Sequence, residues 1–197
     1  MCGIAGLLAQ YPETLVGAML TAIEHRGRDD EGVWTSASIN DELRACLGHR
    51  RLSIIDTSNA GHEPMISPDG RFVITFNGEI YNYRELRVEL AAKGHQFRTQ
   101  TDTEVLLTAW QQWGEAALPR LNGMFAFALW DDRERSLFLV RDRVGIKPLY
   151  YATNSGQDAR APGGVFAFAS EVKSILASGL FKAELDHESL HQFLTFL

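Results

Sequence analysis

Apolar residues recur along this chain with two different spacings, and each spacing predicts an element. Ile4 to Ala9 is a short apolar run of strand length. From Glu13 to His25, Leu15, Met19 and Ile23 recur at helical spacing, one stripe of an amphipathic helix. Cys46 to Asp56 mixes apolar and β-branched residues and stops before Thr57-Ser58-Asn59, a turn signal. Arg71 to Asn77 alternates: Phe72, Ile74 and Phe76 fall on one face, Val73 and Thr75 on the other. That pattern predicts a strand ending at the turn dipeptide Asn77-Gly78.

Tyr83 to Lys93 reads as a helix stopped by Gly94. Thr101 and Glu104 have capping-box spacing ahead of Val105-Leu106-Leu107, so a second helix should start there and run to Gly114. Phe125 to Trp130 and Ser136 to Val140 flank Asp131 to Arg135 as the arms of a hairpin. Val165 to Ala169 predicts another strand, and Ser170 to Ser178 a short helix. The small polar residues from Thr153 to Gly164 predict an exposed loop, and Asp186 to Leu197 a helix ending on the apolar run Phe193 to Leu197. Such a run suggests a junction with a further domain. Many strands with a few amphipathic helices predict α+β layering.

Composition narrows the function classes. The 197 residues can bury about 70% of the unfolded surface in one domain. A net charge of −6, from 25 acidic and 19 basic residues, argues against a nucleic-acid partner. The longest apolar stretch, Met124 to Trp130, is too short to cross a membrane. No basic region precedes the apolar start, so no secretory signal is expected. With Cys2 and Cys46 alone the chain is no disulfide scaffold, and a useful thiol suits the reducing cytoplasm. His187 and His191 share a helix face, but two ligands do not make a metal site, and no metal is expected.

Cys2 is the residue with the sharpest chemistry. Removal of Met1 makes it N-terminal, so a thiol and a free α-amine sit on one residue. The amine titrates near about 7.7–8.0, against roughly 8.5 for the thiol, and is partly neutral near pH 7. One residue then supplies nucleophile and base. The small Gly3 beside it allows close approach. An ordinary buried thiol in a first strand is the competing reading.

Seven segments together resemble the glutamine amidotransferase domain of asparagine synthetases, the class with an N-terminal cysteine nucleophile. They are MCGIAG from Met1, HRGRDDEG from His25, GHRRLSIID from Gly48, FNGEIYNYREL from Phe76, TDTEVLL from Thr101, GMFAFALWD…RDRVGIKPLYY from Gly123 and FAFASEVKSIL from Phe166. Their order and spacing cover nearly the whole chain. The resemblance implies a four-layer α/β/β/α sandwich of two antiparallel sheets, of the N-terminal nucleophile hydrolase type. It implies an amidotransferase domain over 1–185, with 186–197 starting the link to an ATP-dependent synthetase domain.

It also implies roles. Cys2 attacks the side-chain amide of L-glutamine, a γ-glutamyl thioester forms, ammonia leaves, and water releases glutamate. Asn77, through its side-chain amide, and Gly78, through its backbone N–H, match the oxyanion hole. Arg51 matches the residue that forks onto the substrate α-carboxylate; Arg50 points to the other face of a strand and cannot share that task. Asp102 and Glu79 match the acceptors of the α-ammonium, although Asp102 also suits a helix start. The backbone from Leu52 through Ile54 and Ile55 resembles the rest of the pocket. Arg26 and Asp29 either order the pocket wall or form a solvated surface pair. Arg28 stands where the family has proline, so that loop should be shaped differently.

Neither an SGGxDS loop nor a GxxxxGK[ST] loop occurs in the chain. No cofactor is therefore expected for this domain, and ATP and Mg²⁺ belong to the synthetase domain. The implied partners are L-glutamine and that C-terminal domain, and a second copy, as a homodimer, is a further candidate. The hairpin Met124 to Val140 and the segment Arg141 to Tyr151 are the candidate contact surface. Two rivals stand: the same glutaminase chemistry feeding a sugar or a cell-surface polymer precursor, and a non-catalytic glutamine-binding module if Met1 is retained.

Overall fold

The structure is a computed structural model that describes residues 1–10, 12–37, 43–56, 58–153 and 164–196. One antiparallel sheet has the spatial order β2 (Asp30–Thr35), β3 (Arg44–Arg51), β1 (Gly3–Ala9), β9 (Phe166–Ala169) and β8 (Tyr150–Thr153). A second has the order β4 (Met65–Ile66), β5 (Phe72–Ile80), β6 (Gly123–Asp131) and β7 (Ser136–Arg141), again antiparallel. The helices are α1 (Glu13–Ala22), α2 (Tyr83–Ala92), α3 (Asp102–Trp113), α4 (Val172–Ala177) and α5 (His187–Thr195).

Three apolar clusters show how these pieces stack. Ile4, Leu47, Val73, Ala126 and Phe168 fill the space between the sheets. Leu7, Val16, Met19, Leu20 and Ile175 seal α1 and α4 onto the first sheet. Ile74, Phe76, Leu90, Leu106, Trp110 and Phe127 seal α2 and α3 onto the second. The result is the expected α/β/β/α sandwich. Each sheet is covered on both faces, and residues such as Phe127 and Phe168 are wholly buried, each worth about 1.5–3 kcal/mol. The alternation read in β5 holds. Phe72, Ile74 and Phe76 face the helices, Val73 faces the other sheet, and the inward Thr75 hydroxyl donates to Gly48 O at 3.0 Å.

Three local expectations are corrected. Asn77-Gly78 is not a turn. β5 runs through it, pairing Asn77 with Ala126 and Gly78 with Phe125, because β6 offers a continuous partner. The chain turns after Ile80, where Tyr81 N–H meets Asn122 O at 2.7 Å. Second, the strand expected from Cys46 to Asp56 starts at Arg44 and ends at Arg51. Beyond it the backbone reaches a positive φ of 53° at Asp56. Third, the capping box is half formed. Thr101 Oγ1 accepts from Glu104 N–H at 3.2 Å, but the Glu104 carboxylate takes the N–H groups of Arg98 and Thr99 instead of Thr101. Of the predicted Thr153–Gly164 loop, residues 154–163 lie outside the described residues, as do Thr57 of the turn signal and Leu197. The last helix forms from His187, capped by Asp186, and leaves Phe193 and Leu194 exposed.

Candidate active site

Strand register brings the first functional residues together. Gly3 on β1 pairs with Arg50 on β3, so Cys2, one residue earlier, arrives beside Arg51 and Leu52. Leu52 N–H points to Cys2 Sγ at 3.4 Å, and the thiol lies 3.7 Å from Leu52 O. Arg26 Nε donates to Cys2 O at 3.0 Å, and its Nη1 donates to Glu171 at 2.9 Å. Gly3 makes room for this: a Cβ there would stand 2.9 Å from Ile23 Cδ1 and 3.3 Å from Arg26 Cδ. Of the two readings for Arg26 and Asp29, the geometry favours the pocket wall. They bind Cys2 O and Ser53 N–H respectively, not each other.

A cavity of about 150 Å³ opens beside the thiol. All nine residues given catalytic or substrate-binding roles from the sequence line it: Cys2, Arg51, Leu52, Ile54, Ile55, Asn77, Gly78, Glu79 and Asp102. Asn77 is buried, and its Nδ2 has no hydrogen-bond partner among the described residues. An unpaired buried donor costs about 1–3 kcal/mol, and an oxygen acceptor in the cavity would satisfy it, most strongly if it carries negative charge. Gly78 contributes through β5. Phe125 N–H and C=O bond Asp142 on the far side of β6, so its partner Gly78 is a pair not bonded across the β5–β6 ladder. By the alternation of antiparallel pairs, the N–H groups of Phe76, Gly78 and Ile80 therefore point to the other edge of β5. There β4, paired with Val73 and Ile74, has already ended. Glu63 takes the Phe76 N–H and Asp102 the Ile80 N–H. The Gly78 N–H between them faces the cavity side.

The charged groups are held just as firmly. Arg51 is buried, and its guanidinium donates to Ser58 O at 2.9 Å and Asp56 O at 2.5 Å. Two of its five N–H donors are thereby used to hold the loop after β3. Asp102, in the first turn of α3, accepts Ile80 N–H at 2.9 Å, and burial raises its carboxyl above the usual range. Burial, reinforced by the nearby Glu63, raises the Cys2 thiol too. The other thiol, Cys46, is buried, accepts from the Thr35 hydroxyl at 3.3 Å, and is pushed up by burial to about 11.

The cavity includes residues that sequence reasoning missed: Gly61, Glu63, Thr101, Thr103, Met124 and Lys147. Glu63 is the most unusual. It is buried, and burial pushes its carboxyl up to about 8. His49 Nε2 lies 3.7 Å from it and donates to Phe76 O at 3.0 Å. Burial lowers that imidazole to about 4 and keeps it neutral. A carboxylate before proline in a loop carries no local pattern, so nothing in the sequence marked Glu63. Thr101 and Thr103 could have been found, since they flank Asp102 at a recognised helix start.

The family model described as a glutamine amidotransferase domain matches residues 1–197. Asparagine synthetase [glutamine-hydrolyzing] 1 of Bacillus subtilis (strain 168) is 41% identical over 203 residues, covering 100% of this chain and 30% of the relative. Asparagine synthetase [glutamine-hydrolyzing] 3 of the same organism is 39% identical over 200 residues, covering 98% and 30%. Among solved structures, glutamine phosphoribosylpyrophosphate amidotransferase from B. subtilis, complexed with ADP and GMP, has a TM-score of 0.72. It covers 90% of this chain and 44% of that one at 20% identity, a likeness of fold. The chain spans about 30% of the length of these curated relatives.

Proposed function

This chain belongs to the glutamine amidotransferase domain family, and on that premise we propose that it hydrolyses L-glutamine through a thioester on Cys2. The observation that carries the reading is the buried Asn77 Nδ2, without a partner among the described residues, in the same cavity as the Cys2 thiol. Met1 is 59% exposed, so a processing enzyme can reach it. Its removal frees the Cys2 α-amine. The thiol proton passes to that amine, and the sulfur attacks the amide carbon of glutamine. A C–S bond forms, and the carbonyl electron pair moves to oxygen, where the Asn77 amide and Gly78 N–H receive the charge. The C–N bond then breaks, with the amine returning its proton to the departing ammonia. Water attacks the thioester, glutamate leaves, and the thiol is restored. Arg51 grips the α-carboxylate, and Asp102 with Glu79 the α-ammonium.

The ammonia is made for transfer. We read the chain as the glutaminase part, residues 1–185, of a cytoplasmic asparagine-forming protein. Residues 186–197 lead toward a synthetase domain that uses ATP, Mg²⁺ and aspartate. Support comes from the names and greater length of the relatives. Further support is the apolar surface at Val144, Ile146, Tyr150 and Tyr151, which are all exposed within the candidate contact segment.

The test is glutamate release from glutamine by the purified chain without ATP, with intact mass recording whether Met1 is present. The processed chain should turn over and Cys2→Ala should not. Equal activity in both removes Cys2 as nucleophile. A chain that keeps Met1 and binds glutamine without turning it over supports the binding-module reading, and a processed chain that is inactive points to dependence on the synthetase domain.

A further inference from the structure

We propose that Glu63 is a positioning residue for glutamine hydrolysis, its carboxyl tying the strand segment that carries Asn77 and Gly78 to the helix turn that carries Asp102. The proposal rests on the roles given above to those three residues.

The geometry is a bracket. Glu63 Oε2 accepts Phe76 N–H at 2.7 Å, and Phe76 is the chain neighbour of Asn77. Glu63 Oε1 accepts from the Thr103 hydroxyl at 2.9 Å, and Thr103 is the chain neighbour of Asp102. Asp102 completes the loop by accepting Ile80 N–H at 2.9 Å. Along the edge of β5 that β4 leaves open, two buried carboxyl groups therefore stand in for a missing strand. They fix the N–H groups on either side of Gly78. An oxyanion hole works when its donors need no rearrangement as charge develops, so a bracket that fixes the strand spacing acts on the transition state.

Burial is the largest influence on the charge of Glu63, opposed by the hydrogen bonds from Thr103 and Phe76. Asp102 opposes ionisation, Arg51 favours it, and His49 at 3.7 Å is neutral. Cys2 is close enough for Glu63 to disfavour its thiolate. A neutral Glu63 can accept from Phe76 with one oxygen and exchange a hydrogen bond with Thr103 through the other. Glutamine mimics that state: its carbonyl accepts from Phe76, and its amide donates to the Thr103 oxygen, which accepts equally well. Ionised Glu63 instead places a negative charge near the position where the sulfur and the substrate oxygen become negative.

The experiment compares Glu63→Gln, Glu63→Leu, Thr103→Val, Asn77→Ala and Asp102→Asn in the glutaminase assay from pH 6 to 9, with circular dichroism as a folding control. Glu63→Leu should lower kcat by about 100-fold, the typical effect of a misplaced catalytic group. Wild-type kcat should fall as pH rises through about 8, where Glu63 ionises, and Glu63→Gln should lose that decline, which a merely structural role would not alter. Thr103→Val should raise KM for glutamine by up to about tenfold with less effect on kcat, since it loosens the Asp102 end alone. Folded Glu63→Leu with wild-type kcat and KM overturns the proposal. If Glu63→Leu does not fold, an unchanged KM in Thr103→Val together with an unchanged alkaline limb in Glu63→Gln overturns it. Normal kinetics in Asn77→Ala and Asp102→Asn would instead remove the reading on which it rests.

Discussion

The backbone N–H of Leu52 stands 3.4 Å from Cys2 Sγ, close enough to stabilise a thiolate from the strand next door. The two residues are brought together by the Gly3–Arg50 register of β1 and β3. Cys2 is partly exposed, whereas Cys46 is buried and held up near 11. Iodoacetamide at pH 8 should therefore label Cys2 well before Cys46, and glutamine should protect it. Peptide mapping by mass spectrometry reads the ratio; preferential labelling of Cys46 would contradict the assignment.

Asn77 Nδ2 is buried without a partner among the described residues, and Asn77 lines the cavity. Asn77→Ala should lower kcat by about 10²–10³-fold while KM changes little, because the donor acts mainly in the transition state. Asn77→Asp should be at least as damaging, since a carboxylate repels the oxyanion. Steady-state glutaminase kinetics decide this. A change confined to KM would assign Asn77 to substrate binding.

Arg51 is anchored by the carbonyls of Asp56 and Ser58, which aims the rest of its fork at the cavity. Arg51→Ala should raise KM for glutamine by about 10–150-fold, the loss of a charged hydrogen bond of roughly 1.5–3 kcal/mol. Arg51→Lys should recover part of this, because an ammonium cannot fork. An unchanged KM in the alanine variant would take Arg51 out of the binding site.

At Gly78 the strands approach closely. A Cβ there would stand 2.4 Å from Met124 O and 2.8 Å from Phe125 Cα, both backbone atoms that cannot swing away. Gly78→Ala should push β5 from β6, lowering the midpoint of urea unfolding and reducing kcat together. Wild-type values of both would show that the ladder can absorb a methyl group here.

Two buried groups with large shifts, His49 and Glu63, should make stability depend on pH with opposite slopes. His49 titrates near 4 in the fold against 6.5 ordinarily, so the unfolded chain binds the extra proton between these values and stability rises with pH there. Glu63 titrates near 8 against 4.5 ordinarily, so the folded chain binds the extra proton and stability falls as pH rises from 4.5 to 8. From pH 6.5 to 8 the His49 slope is spent and the Glu63 slope remains, at most about 1.4 kcal/mol per pH unit. Urea unfolding should show wild type losing stability over that interval and Glu63→Gln losing less. Parallel curves would mean that Glu63 is ionised throughout.

The sequence by itself determined what depends on neighbours along the chain. The alternation of Phe72, Ile74 and Phe76 against Val73 and Thr75 located β5 and both of its faces, because a strand's side chains must alternate. Thr101 and Asp186 mark helix starts by supplying oxygens to free N–H groups. The motif strings placed Cys2, Arg51, Asn77 and Asp102 as candidates, and the structure gathers them around one cavity. Tertiary structure alone decided the rest. Asn77-Gly78 has the local preference of a turn, yet β6 holds it in a strand, since ladder pairing outweighs a turn preference. Glu63 has no local signature either. Its meaning comes from the place where β4 stops short, leaving the Phe76 N–H on an open strand edge for a carboxyl group from a distant loop to meet.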